Sequence, residues 1–233
     1  MQLPDRTTPV ARLQTLSLYA ESAIGQYTET FATSPETTAQ LRALADLLST
    51  GRGALTLAQS DYFAAVLSCI APRVAVMLVD MRADSVARSA KRGADDAGKD
   101  VALAVFPDGV SPIIRPVGQS EVNALRALEG RIQAAAPRWP EAATWNERIA
   151  SVRARYETAL ANRATALNEA ANKRAVRNAA RESFLNTYAS VAAQIKALFP
   201  REKTMQDIFF EDVRSTAGED DVEPEVGVVL PVV

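Results

Sequence analysis

The sequence predicts a mainly α protein: an elongated antiparallel bundle of long helices with one inserted β-hairpin. Three observations lead there. Apolar residues make up 48% of the 233 residues but aromatic ones only 6%, and alanine supplies much of the difference. That composition favours helices packed at close range over a thick aromatic core. The stretch from about Glu141 to Phe199 holds no glycine or proline, so nothing inside it breaks a helix. Between these helical patterns, Val101 to Gly118 alternates and turns on Pro107-Asp108-Gly109.

Taken in order, Thr8-Pro9 reads as an N-cap followed by proline at the first helical position. Leu13, Leu16, Ala20, Ile24, Tyr27 and Phe31 then recur at helical spacing to about Ala32. Ser34-Pro35-Glu36 opens a second helix with Leu41, Leu44, Leu47 and Leu48 on one face, and Gly51 and Gly53 are expected to end it. A third helix from about Ser60 carries Phe63, Val66, Leu67, Ile70, Val74, Met77, Leu78 and Met81. Its 3.6 period implies a buried face, with a kink at Pro72. The competing assignment makes Arg73 to Asp80 a buried strand; the continuing apolar face favours helix. The third helix beyond Arg82 and the middle of the 141–199 stretch are both poor in large apolar groups, so an arm packed through alanines is expected. A break near Asn172, giving two helices instead of one, is the alternative. If unbroken, that stretch is on the order of 85–90 Å long.

Residues from about 101 to 117 form the expected hairpin. Val101 to Phe106 and Val110 to Arg115 are its arms, and Gly109 takes the left-handed position of the loop. Pro112 and Pro116 share a parity and block one edge, which leaves the first arm open for a further strand. Ser120-Glu121 starts a short helix, Pro137 and Pro140 bracket a turn around Trp139, and Thr204 to Val213 ends the bundle with Met205, Ile208 and Phe209 on the core. The organisation is thus a bundle over 1–213 and a tail over 214–233, acidic and then apolar.

The chemistry available is narrow. The chain has no histidine and one cysteine, Cys69. The commonest general base, the usual catalytic triads and most His-ligated metal sites are therefore excluded. No catalytic, cofactor or metal-binding residue is assigned. Gly93 to Asp100 (GADDAGKD) nearly matches a phosphate-cradling loop. It fails because Asp100 replaces the hydroxyl, Asp95 and Asp96 place anions in the cradle, and helix precedes rather than follows it. The acids at Asp95, Asp96, Glu219, Asp220 and Asp221 lie in loop-like or tail-like sequence with no apolar pocket to perturb them.

The functional expectation is a non-enzymatic assembly subunit that self-associates through helix faces, the hairpin and the tail. Its interface residues are Val101, Leu103 and Val105 on the open strand, Arg174, Arg177 and Arg181 on a basic ridge, and Val226, Val228 and Leu230 in the tail. The partner expected is a second copy or a larger protein assembly. Nucleic acid is disfavoured by a net charge of −2, and no small molecule is implied. An adaptor using the ridge on an acidic protein or nucleic acid is the second reading, and an enzyme of unfamiliar type the third. Pro72 and Arg73 divide the most apolar stretch, so no membrane span is expected. The N-terminus lacks the pattern of a signal peptide, which points to the cytoplasm.

Overall fold

The computed structural model describes residues 3–31 and 34–211. Every regular element among them is helical: α1 (Val10–Thr30), α2 (Pro35–Ser68), α3 (Ile70–Ala97), α4 (Lys99–Val105), α5 (Ser111–Ile114), α6 (Gln119–Ala135), a 3-10 turn (Ala136–Arg138), α7 (Ala142–Leu198) and α8 (Lys203–Ile208). The mainly α class is therefore established. The chain divides into two compact units, one built from residues up to Phe63 and from Lys173 onward, the other from Ala64 to Asn172.

The first unit has an aromatic core. Leu13, Leu16 and Ile24 of α1 are buried with Leu41, Leu48 and Leu55 of α2 and with Phe184, Tyr188, Val191 and Ile195 of α7. Phe209, just beyond α8, lies 5.1 Å from Tyr27 and 5.6 Å from Phe199, ring centre to ring centre. Phe209 and Phe210 are the buried residues here, while Ile208, expected on the core, is exposed. Pro9 turns out to be the N-cap of α1. The polar start is made upstream, where Asp5 Oδ1 accepts the Thr7 N–H at 2.8 Å and Thr8 Oγ1 accepts the Asp5 N–H at 3.1 Å. Ser34 does cap α2, accepting the Thr37 N–H at 3.2 Å.

Gly51 and Gly53 do not end α2, which runs 34 residues. Tertiary packing overrides propensity there: the position of a Cβ on Gly51 is already 3.4 Å from the Phe184 ring. The helix breaks instead at Cys69, three residues before Pro72, whose ring nitrogen has no hydrogen to donate to the carbonyl of Ser68. The glycine- and proline-free stretch is one helix, α7, of 57 residues.

The second unit packs through alanines, as its composition implies. Ala83, Ala87, Ala90 and Ala94 of α3 are fully buried, in one core with Leu125, Leu128 and Ile132 of α6 and with Trp139, Ile149, Val152 and Tyr156. Gly93 is part of this arrangement rather than of a phosphate loop. It is helical, and a Cβ there would sit 2.8 Å from Trp145 Nε1.

The hairpin expected at 101–117 is absent; that segment folds as α4, a turn and α5. The apparent alternation of VALAV is ambiguous, because alanine fits a strand face or a helix equally well. A helix places Val101, Ala102, Val105 and Phe106 together in the core and leaves Leu103 at 53% exposure. It also packs α4 onto α3 and α6, whereas an isolated two-stranded hairpin is marginal in water. Pro112 stands at the second position of α5, where a missing N–H costs nothing. The turn itself survives: Gly109 has φ +76° and donates its N–H to Phe106 O at 3.1 Å.

Candidate functional site: an apolar row and a buried acid cluster

Two features of the second unit are unexplained by its own packing. The first is on its surface. Leu67, at the end of α2, and Ile70, Val74, Met77 and Met81 of α3 recur at alternating steps of three and four residues. This is the 3.5-residue period of a helix seam that meets another helix. Leu78 lies beside them. The helical periodicity was legible in sequence, but the buried face expected of it is corrected: these side chains are exposed, from 47% at Val74 to 66% at Met81. The reason is supply. The opposite row of α3, from Val76 through Ala83 to Ala94, takes the core. Cys69 Sγ lies 3.5 Å from Ala166 O of α7, so α7 occupies one side of this stretch and leaves the outward row open.

The second feature lies on the inward row. Asp80 occupies the place between Val76 and Ala83 where the row calls for an apolar residue. The Tyr156 hydroxyl of α7 donates to Asp80 Oδ1 at 2.7 Å and accepts the Gly118 N–H at 3.0 Å. Gly118, at φ +64°, is the N-cap of α6; that backbone angle suits glycine and directs its N–H to the phenol. Three residues on, Glu121 is 1% exposed and meets Asp80 carboxyl to carboxyl. Its Oε2 has no hydrogen-bond partner among the described residues. Burial, together with Asp80 and Asp84, pushes the Glu121 carboxyl up to about 8 against a lowering hydrogen bond from Tyr156, and burial and Asp80 push the Tyr156 phenol well above its usual value against the Gly118 N–H. Among the described residues no group of acids, cysteines or histidines is arranged to hold a metal ion.

Of the expected interface residues that the structure describes, three lie in the second unit and three in the first. Val101 and Val105 are buried inside the second unit and Leu103 is exposed on α4. The ridge is partly used within the first unit. Arg177 stacks on Tyr62 at 4.5 Å, Arg181 donates to Thr8 O, Lys173 pairs with Asp61 at 2.9 Å, and Arg174 is exposed. Val226, Val228 and Leu230 lie outside the described residues. Sequence reasoning missed the Asp80–Glu121–Tyr156 cluster. Its one visible signal was an aspartate and a tyrosine standing inside otherwise apolar helical rows.

No protein-family model, curated protein or solved structure matches the chain. Fold and surface together define a class only: a mainly α protein with two helical cores and an apolar row left exposed among the described residues.

Proposed function

We propose that the protein is a non-enzymatic assembly subunit, working as an elongated antiparallel helical bundle, that self-associates through the outward row of α2 and α3. The observation that carries the reading is that row: five large apolar side chains at coiled-coil spacing with Leu78 beside them, all about half exposed. Burying the remaining surface of each is worth roughly 1 kcal/mol. Two copies would therefore contribute on the order of 12 kcal/mol, comparable to the roughly 4–15 kcal/mol cost of association. Pairing this row with its own copy sets α3 and α7 of each chain into a four-helix layer, a standard way of covering such a face. The apolar tail, Val226 to Val233, is a further contact in this reading.

A bilayer is a poorer occupant. A window within Pro35–Ala97 is apolar enough to cross one, with mean hydropathy 2.0. However, the α7 stretch beside it carries Arg163 and Glu169, and charges at that depth cost about 2.5–3.5 kcal/mol each. Light scattering on the wild type and on Leu67→Ser/Val74→Ser/Met77→Ser tests the proposal. A discrete oligomer that becomes a folded monomer in the variant is expected. A monomeric wild type at tens of micromolar, or an oligomer indifferent to the substitutions, would sink it. Sedimentation with anionic vesicles reads out the membrane alternative.

A further inference from the structure

The Asp80–Glu121–Tyr156 cluster is independent of the outward row, and its hydrogen bonds do not close with ordinary ionisation. The Tyr156 hydroxyl reaches both Asp80 and Glu121 but has one hydrogen, which the 2.7 Å contact assigns to Asp80. The Gly118 N–H is used on the phenol oxygen. Glu121 is buried against a carboxylate with no donor for Oε2. The groups around it do not supply a countercharge. From α3 come Asp80 and Asp84, the latter held by Arg88 at 3.3 Å; from α7 comes Tyr156. Arg153 and Glu157 of α7 are occupied with Glu129 and Arg126. Lys99 and Asp100 of α4 and Arg115 beyond α5 are exposed. Among the described residues no cation pairs with Glu121 or Asp80. An ionised Glu121 would therefore leave two anions in contact inside the core, which a low-dielectric interior strongly opposes.

We propose that this cluster is a proton-binding site: Glu121 is retained as a neutral carboxylic acid that donates its hydrogen to Asp80, joining α3, α6 and α7. One proton completes the chain from the Gly118 N–H through Tyr156 to Asp80, and from Asp80 back to Glu121. The upward displacement of the Glu121 carboxyl has the same cause. The proton is bound more tightly folded than unfolded, so the stability it confers is fully present below about pH 4.5 and is lost as pH rises through about 8. The second unit thus carries an alkaline-sensitive fastening, whatever the state of self-association.

Infrared difference spectroscopy between wild type and Glu121→Gln tests the site directly, alongside urea unfolding from pH 5 to 9. A carboxylic C=O band should persist in the wild type at pH 6.5, disappear with a midpoint near pH 8, and be missing from the variant. The wild-type urea midpoint should fall across that range. The glutamine variant, whose amide donates in place of the acid, should show little fall. Asp80→Asn removes the facing anion and should move the band's midpoint down by a unit or more, which decides the matter if the glutamine variant fails to fold. No protonated band at pH 6.5, an unmoved midpoint in Asp80→Asn, or equal alkaline loss in wild type and Glu121→Gln overturns the proposal.

Discussion

The two faces of α3 reverse the usual expectation. Ala83, Ala87, Ala90 and Ala94 are small and lie fully in the core, whereas Ile70, Val74, Met77, Leu78 and Met81 are large and stay about half exposed. Burial here follows the neighbours available to each face more than the hydrophobicity of the side chain. The alanine row admits α6, the Trp139 turn and α7 at close range. The outward row faces no third element within its own unit, and in the function proposed above its apolar surface meets a second copy.

Substitutions on the two faces should therefore have opposite characters. The largest effect is expected from enlarging the alanine row: Ala90→Leu should overpack it and cost about 1–3 kcal/mol, measured as a lowered urea midpoint. If it is tolerated, the alanine face is looser than its burial indicates. Next come two glycines on helices. Gly93→Ala collides with Trp145 and should destabilise by about 1 kcal/mol, although alanine normally favours a helix by about that amount over glycine. Gly53, whose added Cβ meets nothing within 4 Å, should show the normal sign and gain up to about 1 kcal/mol on change to alanine. Equal signs at the two positions would dissolve the contrast. Smallest of all is Leu78→Ser: in dilute solution, where copies are apart, its effect on unfolding should stay within about 0.5 kcal/mol. A larger loss would mean that the outward row is covered within one chain.

Much of the architecture was legible because it is local. The starts of α2 and α6, the turn at Phe106 to Gly109 and the alanine packing of α3 each follow from a few neighbouring residues, whereas the structure chose one helix over two for α7. The errors came where local preference was balanced or outweighed. The VALAV segment suits strand or helix, and contacts with α3 and α6 selected helix. Gly51 reads as a stop, yet its small size lets α2 approach Phe184. The acid cluster draws on three helices, with Asp80, Glu121 and Tyr156 separated by dozens of residues, so no spacing rule connects them.

The sequence by itself determined a helical chain, its apolar periodicities and its lack of histidine, because propensity, capping and composition are local properties. Only the tertiary structure decided which periodic row faces inward, and that one buried glutamate meets an aspartate with no cation beside them among the described residues. Burial and charge environment belong to the elements that surround a side chain, and those elements arrive from distant parts of the chain.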